Sequence, residues 1–217
     1  MAANLFLEIQ QIRELTPSTY VIRFERQNIQ FKAGQYIGLG FKDYPYMRDY
    51  SIYSGEKDDY LEVLIKEVQD GDLSIKFKQC AAGNVLKYDG PFGSFVLNQK
   101  DIAQKHFTFV ASGTGIAPFH SFVRSYPELK YTILHGVRSA SEAYDKDHYN
   151  KDNYFLCTSK DSKGNFKGRV TDYLRKNKVN KDELFYLCGN GGMVYEVYEI
   201  LQEKGLNLDQ IFLEVYF

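Results

Sequence analysis

The sequence predicts two lobes of different class: an antiparallel β-barrel with one helix, then a doubly wound α/β domain with a parallel sheet. Three observations carry this reading. Up to about residue 100 the apolar runs are short and bounded by turn residues, as strands of a barrel are. After Asp101 strand-like runs alternate with helical segments, the pattern of a parallel sheet wound on both faces. Within the second lobe, Phe107–Ser112 breaks into Gly113-Thr114-Gly115-Ile116-Ala117-Pro118, a buried strand turning sharply into a helix.

In chain order, the first lobe reads as strands over Phe6–Ile12, Thr19–Glu25, Tyr36–Phe41, Tyr50–Ser54, Tyr60–Lys66 and Gly93–Val96. Period-2 alternation sets Tyr20, Ile22 and Phe24 against Val21, Arg23 and Glu25. One helix is predicted from Leu73 to Ala82, opened by Asp72. Asn98–Gln104 reads as the linker, giving domains of 1–100 and 101–217. The second lobe predicts strands over Thr108–Ala111, Tyr131–Val137, Tyr154–Thr158, Leu184–Gly189 and Ile211–Val215. Its predicted helices are Pro118–Ser125, Ser141–Tyr149, Thr171–Lys176 and Met193–Lys204.

Composition narrows the function classes. The chain has 217 residues, 44% of them hydrophobic and 25% charged, which describes a globular protein. A net charge of −1 gives no bulk attraction to nucleic acid. No apolar run approaches a membrane span, and Met1-Ala2-Ala3-Asn4 starts no signal peptide, so a cytoplasmic protein without a membrane partner is expected. Cys80, Cys157 and Cys188 are spaced for neither a disulfide framework nor a metal cluster, and the four histidines show no ligand spacing; no metal is expected. The 18 tyrosines and 16 phenylalanines fill strands and core, with some left to stack on a flat cofactor.

The chemistry-bearing pieces follow the same order. A strand that ends in Gly113–Pro118 leaves backbone N–H groups and a positive dipole end outward, a seat for a phosphate. Pro118 sits in the first helical turn, where its missing N–H costs little. Arg48-Asp49-Tyr50-Ser51 offers a guanidinium suited to a pyrophosphate, a ring suited to stacking, and a hydroxyl that donates and accepts. A strand with ordinary surface polar groups would read the same way. Gly71-Asp72-Leu73-Ser74 opens a helix with a cluster of N–H groups, or is a plain N-cap turn. Gly90-Pro91-Phe92-Gly93-Ser94-Phe95 reads by itself as a turn.

Taken together, Gly34-Gln35-Tyr36, Arg48-Asp49-Tyr50-Ser51, Gly71-Asp72-Leu73-Ser74, Gly90-Pro91-Phe92-Gly93, Gly113-Thr114-Gly115-Ile116-Ala117-Pro118 and Cys188-Gly189-Asn190 occur in an order that resembles the ferredoxin–NADP reductase family of flavoproteins. The resemblance spans nearly the whole chain. It implies an FAD-binding barrel followed by a Rossmann-like NAD(P)H-binding domain. It implies Arg48 on the FAD pyrophosphate, Tyr50 on one flavin face, Ser51 close to flavin N5, and Gly71 and Ser74 as a second pyrophosphate contact. Gly113, Thr114 and Gly115 are implied along the pyrophosphate and nicotinamide of NADPH, with Cys188 and Gly189 near the nicotinamide. The family often has Pro after Cys-Gly-x, whereas this chain has Gly191-Gly192-Met193.

Between Lys160 and Lys181 the chain carries eight cations against Asp161 and Asp172, a net of +6. Cations suit a 2′-phosphate, whereas a free ribose diol prefers a carboxylate. The resemblance assigns that phosphate to Arg138, Lys160 and Arg169; a solvated basic face or a docking patch would carry the same charges. At the carboxyl end it implies Tyr216 stacked on the second flavin face, Phe217 as an extra aromatic on FAD, and Glu214 handling protons beside the nicotinamide. The implied activity is hydride transfer from NADPH to FAD, then single electrons to ferredoxin or flavodoxin, with Lys76, Lys78 and Lys87 as steering charges. Ser51, Cys188, Glu214 and Tyr216 are the implied catalytic residues. Two other readings stand beside it: the reductase component of an oxygenase, or a free-flavin or ferric reductase; and a flavin-binding subunit without catalysis.

Overall fold

The computed structural model describes residues 5–68 and 71–216. The chain divides into two compact units. One holds the chain through Val96 together with His120–Ser125; the other holds Leu97–Phe119 and the chain from Tyr126 onward.

The first unit is built from β1 (Leu5–Thr16), β2 (Thr19–Glu25), β3 (Tyr36–Gly40), β4 (Arg48–Ser51), β5 (Tyr60–Lys66) and β6 (Val85–Phe92), with α1 (Asp72–Lys78) between the last two. The strands form one sheet in the order β4-β3-β6-β1-β2-β5, and all its pairs are antiparallel. Its two end strands also meet. Ile52, just past β4, bridges Val63 of β5, and Tyr53 N–H donates to the Glu62 carbonyl at 2.7 Å. The sheet therefore closes on itself as a barrel, which removes the exposed edge that open sheets must protect. Tyr20, Ile22 and Phe24 point into the core with Ile37, Leu39, Leu61, Val63 and Leu86, as the alternation of β2 requires; Val21 is buried as well. α1 adds Leu73 and Phe77 to that core, and the Tyr20 hydroxyl donates to the Ser74 carbonyl.

Two local expectations fail here. The helix predicted to Ala82 stops at Lys78, because Gln79 and Cys80 tighten to carbonyls three residues back and the Asn84 side chain takes the Ala81 N–H. The last strand is Val85–Phe92, not Gly93–Val96. Asp89-Gly90-Pro91 is a turn signal locally, but ladder pairing with β1 and β3 draws the whole segment into the sheet.

The second unit runs α2 (Gln99–Ile102), β7 (His106–Ser112), α3 (Ala117–Ser125, from His120 counted with the first unit), β8 (Lys130–Val137), β9 (Tyr154–Thr158), β10 (Phe166–Lys167), α4 (Val170–Lys176), β11 (Leu184–Asn190), α5 (Gly191–Glu203) and β12 (Ile211–Tyr216). The sheet is parallel throughout, ordered β10-β9-β8-β7-β11-β12. β7 and β11 are buried along almost their full length, as strands covered on both faces must be. Val194, Val197, Ile200 and Leu201 of α5 and Val170 and Leu174 of α4 pack on Val110, Leu134 and Leu187. No helix over Ser141–Tyr149 forms. Two short 3₁₀ turns, Ala140–Glu142 and Lys146–His148, are separated by Asp145 at φ +45°, which breaks a right-handed helix, while Tyr144 and Tyr149 are buried. The segment expected as a linker, Asn98–Gln104, contains α2, whose first turn is capped by the Asn98 side chain on Lys100 N–H.

Within the first unit, Arg124 of α3 grips Asp58 through two guanidinium nitrogens at 2.8 and 2.9 Å and reaches the Tyr60 hydroxyl at 3.1 Å. Burial raises the Asp58 carboxyl, but Arg124 and the Gly55 N–H outweigh it and leave the group below its ordinary value. A lowered carboxyl stabilises the fold above its unfolded-state value and loses that contribution as pH falls through the folded-state value. Asp58→Asn is expected to cost ~1–2 kcal/mol at pH 7 and much less near pH 3, measured by thermal unfolding across that range. An equal cost at both pH values would refute the ion pair as the cause.

Candidate functional site

The second sheet changes winding direction at β7. The chain leaves it toward β8, β9 and β10, then returns on its other side as β11 and β12. Ligands of open parallel sheets sit outside the carboxyl ends of the strands at such a point. Two loops occupy that place here: Gly113–Ile116, a 3₁₀ turn after β7, and Cys188–Gly192, which ends β11 and opens α5.

The loops are locked together through their backbones. A Cβ on Gly115 would lie 2.3 Å from the Cys188 carbonyl oxygen. Gly189 sits at φ +128°, and its Cβ would strike the Ser112 hydroxyl at 2.4 Å. Ser112 Oγ accepts the Asn190 N–H at 2.9 Å, and the Asn190 side chain accepts from Met193 N–H to start α5. The turn packs this tightly because both residues lack side chains. Gly113, at φ +53°, has nothing within 4 Å of its Cβ position among the described residues. Bare backbone with open space above it fits a phosphate or nicotinamide that must approach closely.

Cys188 is fully buried, and parallel pairing sets it opposite Glu214 on β12. The thiol lies 3.9 Å from Glu214 Oε1. Burial first, and the Glu214 carboxylate second, push it well above its usual value; a hydrogen bond with Tyr216 acts in the opposite sense without overcoming them. Cys188 is therefore a neutral thiol at pH 7. Thr114, Gly115, Cys188, Gly189, Glu214 and Tyr216 are thus gathered around the ends of β7, β11 and β12.

The expected 2′-phosphate residues lie farther along the same carboxyl edge. Arg138 follows β8 and Lys160 follows β9, joined by Lys160 N–H to the Arg138 carbonyl at 2.8 Å. Arg169 precedes α4, whose Asp172 accepts the Arg169 N–H at 2.9 Å. All three side chains are exposed. Asp161, next to Lys160 in sequence, is held by backbone: its carboxylate accepts Ala140 N–H at 2.9 Å and Lys163 N–H at 3.0 Å, and those bonds hold its pKa down.

In the barrel, Arg48 is exposed on β4, with its guanidinium 5.7 Å from the centre of the Tyr46 ring. The Tyr46 hydroxyl reaches Asp72 at 3.5 Å, so Arg48 is linked through it to the first turn of α1. Tyr50 is half-buried and edge-on to Phe77 at 6.1 Å. Burial pushes its hydroxyl up to about 12, with Arg48 working against the rise, so the ring stays uncharged. Arg48 and Tyr50 are thereby brought together with the Gly71–Ser74 turn. Ser51 is 5% exposed at the end of β4, paired with Tyr36. Ser74 is buried; its hydroxyl accepts Val68 N–H at 3.1 Å and donates to the Gly71 carbonyl at 3.3 Å, while Gly71 N–H goes to Val68. These groups shape the turn before α1. Phe217 lies outside the described residues. Of the lysines expected to steer a carrier, Lys76 pairs with Asp72 and Lys78 with Glu67, both at 2.8 Å. The sequence placed Asn190 in the Cys188-Gly189-Asn190 motif and Ser112 at the end of a strand but gave neither a role; their signal was a hydroxyl and an amide flanking the two glycine turns.

Two outcomes follow from this packing. Gly115→Ala is expected to lower stability by at least ~2 kcal/mol, since its methyl meets backbone that has no rotamer to yield. Calorimetric unfolding measures it, and an unchanged melting temperature would contradict the geometry. Among the thiols, half-exposed Cys80 is expected to alkylate with iodoacetamide before Cys157 and Cys188, read by peptide mass spectrometry. Early labelling of Cys188 would refute its burial.

Residues 7–97 match the oxidoreductase FAD-binding domain family, and residues 109–199 match the oxidoreductase NAD-binding domain family. A ferredoxin–NADP reductase of Azotobacter vinelandii is 30% identical over 213 residues, covering 83% of this chain and 82% of that protein. A toluate 1,2-dioxygenase electron transfer component of Pseudomonas putida is 26% identical over 225 residues, covering 96% of this chain and 66% of that protein. For the fold, the crystal structure of a Neisseria gonorrhoeae ferredoxin NADP+ reductase with bound FAD and NADP superposes with a TM-score of 0.88 at 23% identity, covering 98% of each chain. No helix among the described residues is long and apolar enough to cross a membrane. With both domains matched in order and a relative of this similarity along most of both chains, the protein belongs to the ferredoxin–NADP reductase family of FAD-dependent oxidoreductases.

Proposed function

We propose that this chain draws electrons from NADPH and passes them singly to a small carrier protein, ferredoxin or flavodoxin. When bound, FAD supplies the conversion between two-electron and one-electron chemistry. The barrel residues hold and orient it. Arg48, exposed and anchored against Tyr46, neutralises the pyrophosphate, and Gly71 and Ser74 frame the turn beside it. The Tyr50 ring stays neutral and would stack on the flavin, and Ser51, at the end of the same strand, would lie near the reacting edge.

The second unit binds and orients the dinucleotide. Gly113, Thr114 and Gly115 receive its pyrophosphate on bare backbone, and Gly189 keeps the β11 edge low. Cys188 lies at the same edge as a neutral, buried thiol, packing beside the nicotinamide without acting as a nucleophile. Glu214 and Tyr216 border it: the carboxylate, which accepts a hydrogen bond from the Cys188 thiol, would orient the nicotinamide and relay protons beside it, and the Tyr216 phenol ring would stack on the flavin.

One observation favours NADPH over NADH. Arg138, Lys160 and Arg169 are exposed on one sheet edge, while each carboxylate oxygen of the adjacent Asp161 already accepts a backbone N–H. A second reading, the reductase component of an oxygenase, is supported by the toluate dioxygenase relative.

The test uses purified FAD-loaded protein. NADPH is expected to bleach the flavin spectrum, and Arg138→Ala with Arg169→Ala to raise KM for NADPH by ~tenfold or more while KM for NADH moves little. Equal effects on both nucleotides would sink the 2′-phosphate assignment. Cytochrome c reduction supported by added ferredoxin or flavodoxin identifies the carrier class; reduction supported only by an oxygenase component selects the second reading. A flavin that NADPH and NADH both leave oxidised points to a non-catalytic subunit.

A further inference from the structure

We infer that His135 and Tyr154 form a buried positioning pair that sets the Gly113–Ile116 turn for the dinucleotide; the inference rests on the reading of that turn as the NADPH site. His135 lies in β8, fully buried, opposite Ala111 of β7 and Leu156 of β9. Tyr154 stands two residues before Leu156, on the same sheet face, because side chains two apart along a strand share a face.

Chemistry orients the chain of hydrogen bonds. His135 Nε2 lies 2.9 Å from the Gly113 carbonyl oxygen, and a carbonyl can only accept. Nε2 therefore carries the proton. Nδ1 is then the acceptor, and the Tyr154 hydroxyl donates to it at 2.7 Å. Burial pushes His135 down to about 4 against the Gly113 bond, so the imidazole is neutral and this tautomer persists at pH 7. Tyr149 stacks on Tyr154 at 5.1 Å and 7°, and the Tyr144 ring lies 5.9 Å from His135. The pair is thus held from the 140–150 loop, where tertiary packing displaced the expected helix.

The consequence lies on the far side of one peptide plane. A trans peptide directs its C=O and the following N–H in opposite directions. Pinning the Gly113 carbonyl toward His135 aims the Thr114 N–H the other way. Gly113 is in the left-handed region at the first position of the 3₁₀ turn, a conformation that glycine adopts without side-chain strain. His135 therefore reinforces, together with the 3₁₀ turn itself, where a backbone donor of the nucleotide turn points, without itself touching the nucleotide.

The test measures NADP+ dissociation constants on FAD-loaded protein by calorimetry, alongside KM and kcat for NADPH. His135→Leu removes both nitrogens; His135→Gln restores a donor near Nε2; Tyr154→Phe removes only the hydroxyl that fixes the tautomer. The expected result is ~tenfold weaker NADP+ binding for the leucine variant, recovery to within ~threefold for glutamine, and a ~threefold loss for phenylalanine, with KM rising in step and kcat within about twofold of wild type. Unchanged binding in Tyr154→Phe together with unchanged binding in His135→Leu would overturn the inference. Should the leucine variant lose its flavin through misfolding, wild-type binding by Tyr154→Phe alone overturns it. A loss of kcat and melting temperature without a change in binding would assign the pair a purely structural role. Repeating the series with NAD+ separates the two claims. A wild-type protein that prefers NAD+ fails the 2′-phosphate reading, and the His135 effect is then read from the NAD+ constants.

Discussion

The contact between the backbone of Gly115 and the carbonyl of Cys188 is the constraint on which the second unit's site depends. Two strand ends can supply a common surface only if the turns that follow them nest. Nesting at this separation leaves no room for a Cβ on either side, since the two positions would collide with carbonyl or hydroxyl oxygen. Ser112 and Asn190 then close the arrangement with one hydrogen bond from loop to loop and another into the start of α5. The direction of α5, the height of the β11 edge and the exposure of Gly113 all follow from that nesting.

Charge is distributed unevenly around the two units' candidate sites, and burial is the reason. Groups at the centre are kept neutral: the Tyr50 phenol, the Cys188 thiol and the His135 imidazole are each driven toward their uncharged form by removal from water. The cations Arg48, Arg138, Lys160 and Arg169 all stand in solvent, where an incoming phosphate can exchange their water for its oxygens.

Much of the fold was legible in the residues. The alternation in β2 and the continuous apolar runs of β7 and β11 have a direct cause, one or two covered faces, and their bounds came close. β6 was not legible, because Gly90 and Pro91 signal a turn locally and only pairing with β1 and β3 makes the segment a strand. Residues 141–149 failed for the opposite reason. Their composition permits a helix, but burial of Tyr144 and Tyr149 and the left-handed turn at Asp145 favour a compact loop. In the site, the glycine turns, Arg48, Tyr50 and the basic segment stood out because each residue type has a narrow set of uses. His135 did not, because a lone histidine in an apolar strand shows its purpose only when its partners, 19 and 22 residues away, are in view.

The order of motifs alone declared an FAD-binding and an NAD-binding lobe and the family, because glycine turns and clustered cations carry their physical meaning locally. Folding alone decided which backbone groups those turns present, that Asp161 accepts backbone N–H groups, and that Ser112 meets Asn190 and His135 meets Tyr154 and Gly113. Hydrogen-bond direction and close packing between strands distant in sequence are properties of three-dimensional neighbours, and no spacing along the chain encodes them.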